Sequence, residues 1–152
     1  MKIAFAGHST VALGDRVKEI VKEQIRKIII DANLVTCYLG GYGDFDEICA
    51  SACRELKSEY PNIETVYVTP YFTLREQMKI KEMQNYGLFD ASVYPPIENT
   101  PLKFAISKRN EWMMSNADVI IAYVTRHYGG AHKALQIARQ RKKEIINVSC
   151  LI

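Results

Sequence analysis

The chain has 152 residues, with 20 Lys and Arg against 17 Asp and Glu, a net charge of +3 with the histidines neutral. Hydrophobic residues make up 48% and charged residues 24%, a balance that argues against disorder and fits one globular domain over residues 1–152. The charge is too small to imply nucleic acid by itself, and the longest apolar run, Val119–Val124, is far short of a membrane span. Gly7 and His8 come too early for a signal-peptide core. Cys37, Cys49, Cys53 and Cys150 form no CxxC pair, so they read as reduced thiols in a cytoplasmic protein.

Short apolar runs alternate with amphipathic stretches. Lys2–Ala6 predicts a buried strand, and Val17, Val21, Ile25 and Ile28 recur at helical spacing between about Asp15 and Ile30. Leu34–Leu39 predicts a second strand, and Gly40–Asp46 a glycine-rich turn. Ile48, Ala52, Cys53 and Leu56 mark a helix that stops before Pro61. Thr65–Thr69 predicts a third strand, Leu74–Tyr86 a helix and Phe89–Tyr94 a fourth strand. Pro95, Pro96 and Pro101 fence a loop before a helix over Leu102–Asn116. Asp118–Val124 is the most apolar strand, Gly129-Gly130 opens a helix to about Lys142, and Glu144–Val148 closes the chain. This alternation predicts an α/β fold: one three-layer Rossmann-like domain, its sheet mostly parallel, with helices on both faces.

In such folds ligands bind at the C-terminal strand ends. Three loops should meet there. Gly7, His8, Ser9 and Thr10 follow the first strand and suit a phosphate or ribose; Ser9, Thr10 or Asp15 could equally be a helix cap. There is no GxGxxG. Gly40, Gly41, Gly43, Asp44 and Asp46 follow the second strand, where three glycines permit close approach to a ligand. Asp44 and Glu47 could form a capping box, and carboxylates there favour a ribose hydroxyl or a base amine over a phosphate. Thr125, Arg126, Gly129, Gly130 and Lys133 form the third loop, with phosphate contacts expected from Thr125, Arg126 and Lys133.

Arg109 is the sharpest single residue. It falls on the apolar stripe of Leu102, Ala105, Ile106, Trp112 and Met113. A guanidinium there needs partners: either a structural carboxylate such as Asp118, or a ligand phosphate or carboxylate. Tyr71 and Phe72, directly after the third strand, could stack a base or close the core. No Cys/His spacing matches a metal site and there is no GxSxG elbow; no cofactor is expected. The basic run Arg139–Lys143 reads as a solvated helix end.

Taken in order, these segments resemble a known superfamily. Leu39–Glu47 is similar to the first glycine motif of the SLOG superfamily, which joins DprA-type and LOG-type Rossmann-like proteins. Lys108-Arg109-Asn110-Glu111-Trp112-Met113, Ala117-Asp118-Val119-Ile120, Gly129-Gly130 and Lys133-Ala134-Leu135 resemble its second half. Thr100–Phe104 with Lys108-Arg109-Asn110 resembles the YpsA-type branch. The resemblance implies a crevice for nucleotide-derived ligands. LOG-type members cleave the N-glycosidic bond of nucleoside monophosphates with an Arg and a Glu in a GGxGTxxE motif; other members bind nucleotide-like ligands or single-stranded DNA. Arg109 corresponds to the LOG-type arginine, with Asn110 where Lys is usual. His132 replaces the third glycine, and Gln136 stands at the glutamate position. A glutamine takes no proton, so the enzyme pattern is incomplete.

The leading expectation is therefore a module that senses or sequesters a nucleotide-derived small molecule such as ADP-ribose or a nucleoside phosphate. The alternative is a nucleotide N-glycosidase (phosphoribohydrolase) using Arg109 with Asp46 or Glu47. A DprA-like nucleic-acid binder ranks below both, given the low net charge and no interleaving of basic and aromatic residues. No membrane partner is expected, and the apolar content permits a homo-oligomer.

Overall fold

The computed structural model describes all residues, Met1–Ile152. Six strands form one parallel sheet: β1 (Lys2–Gly7), β2 (Val35–Leu39), β3 (Ile63–Val68), β4 (Ala91–Val93), β5 (Val119–Tyr123) and β6 (Glu144–Asn147). Their order is β4-β3-β2-β1-β5-β6, and every neighbouring pair is parallel. β1 lies at the centre, with Ile3 in register with Cys37 on one side and Val119 on the other. The chain steps outward from β1 to β4 and then returns to β5 on the far side of β1. The order reverses between β1 and β5, where an open parallel sheet leaves a crevice.

Each face of the sheet has its own core. Helices α1 (Gly14–Ile28) and α2 (Asp44–Lys57) bury Val17, Val21 and Ile25, and Phe45, Cys49, Cys53 and Leu56, against Ile3, Phe5, Cys37 and Leu39. Helices α4 (Ala105–Asn116) and α5 (Gly130–Gln140) cover the other face, where Met113, Met114, Ala134 and Ala138 meet Ala4, Ala6, Val66 and Ile120. The alanines of α5 let its backbone lie close to the sheet.

Three sequence expectations shift. Leu102 and Ile106 do not join the buried stripe: Leu102 is 75% exposed and Ile106 is exposed too. Residues Leu102–Phe104 form a 3-10 turn, so α4 takes its register from Ala105, and its buried line is Ala105, Arg109 and Met113. The fourth strand begins at Ala91, not Phe89. Asp90 accepts the Thr65 backbone N–H at 2.8 Å, a donor strand pairing would otherwise use, while the Phe89 ring packs on Tyr67. Asp44 and Glu47 form no capping box; Gly43 is the N-cap of α2, without a side-chain bond.

Helix α3 (Leu74–Asn85) departs from the rest, because its one buried residue is Glu76. Thr73 caps it by accepting the Glu76 N–H at 3.2 Å. The Glu76 carboxylate lies 2.6 Å from the Thr69 hydroxyl and accepts from the Tyr67 hydroxyl at 3.3 Å. A polar latch, not an apolar face, holds this helix to the sheet. No helix is long and apolar enough to cross a membrane.

Gly7 ends β1 against the buried Phe45 ring, which a Cβ at that position would overlap. Gly7→Ala is expected to lower unfolding free energy by about 2–3 kcal/mol in urea titrations. Gly130, the first residue of α5, has nothing within 4 Å of such a Cβ. Gly130→Ala is expected to change stability by less than about 0.5 kcal/mol.

Candidate functional site

A cleft of about 260 Å³ opens at the C-terminal ends of β1, β2 and β5, just below the usual size of ligand sites. β1 and the loop after it supply Gly7, His8 and Ser9. The segment after β2 supplies Gly40, Tyr42 and Asp46, and α4 supplies Arg109 and Asn110. Arg126 and the start of α5, with Gly130 and Ala131, close the far side.

Arg109 organises the cleft. It is 2% exposed, the bulkiest of the fully buried side chains. Its Nη1 donates to the Gly40 carbonyl at 2.9 Å and the Val68 carbonyl at 2.6 Å, and its Nε donates to Asn110 Oδ1 at 2.9 Å. Nη2 donates to no protein group. Asp118, the structural partner considered above, lies elsewhere and accepts the Lys2 N–H. The guanidinium carbon sits 5.4 Å from the centre of the Tyr42 ring, within cation–π range. Burial lowers the Arg109 pKa and the Asp46 charge opposes that; arginine keeps its proton regardless.

Asp46 is the acid of the cleft. Its Oδ2 accepts the Tyr42 N–H at 2.9 Å. A Cβ on Gly40 would lie 3.0 Å from this oxygen and 3.3 Å from Arg109 Nη2, so a larger residue there would push the two groups aside by a few tenths of an ångström. Burial pushes the Asp46 pKa up to about 6, against the pull of the Tyr42 N–H and Arg109. A carboxyl poised there can serve as acceptor, acid or base near neutrality.

His8 is 5% exposed, and its Nε2 accepts the Thr125 N–H at 2.9 Å. That bond places the proton on Nδ1. Burial, and secondarily Arg126, lower its pKa, so the ring is neutral at neutral pH.

Other sequence candidates fall outside the cleft. Asp44 Oδ2 accepts the Val11 N–H at 3.0 Å, and Glu47 lies with Asp15 and Lys18 along a separate depression. Gly41 and Gly43 turn the chain at φ +76° and +91°, but neither lines the cleft. Thr125 acts through its backbone on His8, Gly129 caps α5, and Lys133 is exposed. Gln136 is also exposed on α5, while Ala131 and Ala134 face the cleft. Tyr42 lines the cleft without any periodicity to mark it; an aromatic between glycines is the only signal in the sequence.

No protein-family model matches the chain, and no curated protein matches it. Among solved structures it is similar to the X-ray structure of DNA processing protein A (DprA) from Streptococcus pneumoniae, at 19% identity and a TM-score of 0.64, over 95% of this chain and 48% of that one. It is also similar to DprA from Helicobacter pylori, a structure described for its single-stranded DNA binding mode, at 16% identity and a TM-score of 0.61, over 95% of this chain and 63% of that one. The chain thus spans about half to under two thirds of these proteins. The likeness is one of fold: the chain has the Rossmann-like fold of DprA.

His8 titration gives the site a pH signature. The unfolded imidazole protonates at its ordinary value of 6.5, the folded one only at lower pH. Below 6.5 the unfolded chain therefore binds more protons, and stability falls with acidification. Urea midpoints at about pH 7.5 and about pH 5.5 are expected to lie closer together in His8→Asn than in the wild type.

Proposed function

We propose that residues 1–152 form a SLOG-type domain of the YpsA-like branch that binds a nucleotide-derived small molecule in this cleft. The observation that carries the reading is Arg109: a buried guanidinium, fixed on three of its N–H bonds, with Nη2 free of protein partners where it lines the cleft. Asp46, the neighbouring carboxylate that opposes its desolvation, makes no hydrogen bond to it, which leaves Nη2 for an anion entering the cleft. Arg109, Arg126 and the N-terminus of α5 suit a phosphate or another anion. Asp46 beside them suits a ribose hydroxyl or a base amine. Together they fit one nucleotide unit: anion toward the arginines, diol toward the carboxylate. We place the protein in the cytoplasm, a reading that rests on its unpaired cysteines.

One observation favours a second reading, N-glycosidic hydrolysis. Asp46 lies close to Arg109 and titrates at about 6, as an acid–base catalyst would, whereas Glu47 faces away from the cleft. In that reaction Asp46 takes a proton from water as oxygen bonds to the anomeric carbon, the glycosidic C–N bond breaks with its electron pair on the base nitrogen, and the proton passes from Asp46 to that nitrogen as the neutral base leaves. Free base released from AMP at equal rates by wild type and Asp46→Asn would end this mechanism. The Helicobacter pylori DprA structure is described for a single-stranded DNA binding mode. A mobility shift that weakens steeply with salt would transfer that reading to this chain.

Native mass spectrometry with AMP, ADP-ribose, cyclic ADP-ribose and NAD tests the binding reading. An intact nucleotide is expected to remain bound, and Arg109→Ala to weaken it about ten- to hundredfold, the loss of a charged hydrogen bond. Wild-type protein that binds none of the four overturns the reading. Binding is also expected to strengthen as pH rises through about 6, as Asp46 becomes a full acceptor, and Asp46→Asn to remove that step in titration calorimetry.

A further inference from the structure

A second groove of about 440 Å³ lies between α3 and the ends of β3 and β4, with no residue in common with the cleft around Arg109. It exists because α3 is latched through Glu76 and brings no apolar face to the sheet. Gln77, Ile80, Lys81 and Gln84 line it from α3, at the i, i+3, i+4, i+7 spacing of one helix face, one apolar residue among three polar ones. Phe72, Ser92 and Tyr94 line the opposite wall. The Phe72 and Tyr94 rings stack with centroids 5.2 Å apart and 29° between planes, yet Phe72 remains 67% exposed. Tyr94 thus backs one face of the Phe72 ring while its other surface stays open to solvent. A wetted aromatic face gains from being covered.

The polar groups narrow what could cover it. Each glutamine amide presents a donor and an acceptor, and Lys81 adds one cation. An apolar partner would strand these amides; a flat ring with a hydrogen-bonding edge would use them. We propose that this groove binds a nucleobase stacked on Phe72, with its edge read by Gln77 and Gln84 and its phosphate met by Lys81. The base comes either from a free nucleotide or from a single strand; the recognition chemistry is the same.

Amide chemical-shift titrations with adenosine, AMP and hexadeoxyadenylate test this on the full chain. The expected result is movement of the Phe72, Gln77, Lys81 and Gln84 signals, with affinity about tenfold weaker in Phe72→Ala, the size of one lost base stack. Shifts with AMP as strong as those with the oligomer identify a free nucleotide as the source; shifts with the oligomer alone identify a strand. Lys81→Ala is expected to weaken AMP and leave adenosine unchanged. The groove shifts are expected to survive Arg126→Ala, which alters the cleft without touching the strand ends and so separates the two sites. Groove signals that none of the three probes moves, or an unchanged affinity in Phe72→Ala, overturn the proposal. Equal loss of adenosine and AMP in Lys81→Ala overturns the phosphate contact.

Discussion

One buried guanidinium fixes the geometry at the C-terminal edge of the sheet. Arg109 belongs to α4 on one face, yet its Nη1 joins the carbonyls of Gly40 and Val68, which follow β2 and end β3. Those carbonyls lie past the parallel ladder and would otherwise need water. A net hydrogen bond contributes only about 1 kcal/mol, but a buried acceptor left without a donor costs about 1–3 kcal/mol. The arginine therefore ties the helix layer to two strand ends, and the cleft inherits its walls from that tie. Asn110 sets the guanidinium plane, Tyr42 covers it, and Gly40 leaves room for Asp46 beside it.

The cleft sets two titratable groups against each other by burial. Desolvation disfavours whichever form is charged, so it raises an acid and lowers a base. Asp46 is thereby brought to about 6, and His8 is kept neutral. Near neutrality the permanent charges facing the cleft are Arg109 and Arg126, with Asp46 the variable one. Small changes in pH move the local balance more than the net charge of the chain suggests.

Much of this architecture was legible in the amino-acid order. The apolar runs and the Val17–Val21–Ile25 spacing are strong signals because each element is buried on one side or both. Arg109 stood out for the same reason, a charge on a line of core residues. Its partners did not, since two of them are backbone carbonyls that carry no sequence mark. Asp46 and Glu47 are neighbours, about 100° apart on a helix, and only the true start of α2 decides which one meets the cleft. Leu102 misled because a 3-10 turn precedes α4, and Ile106 because its place on the helix opens onto the cleft; periodicity foresees neither. Phe89 misled because Asp90 took the hydrogen bond a strand would have made.

Helix α3 carries its own consequence. The other four helices bury apolar residues against the sheet, so they share in its cooperative unfolding. α3 is moored by one carboxylate on a threonine and a tyrosine. Its free energy of release is that of a few polar contacts, far below that of the whole domain. Loss of those contacts would free α3 while leaving in place the apolar cores under the other four helices, so a single side chain, Glu76, controls the attachment of a whole element of the fold.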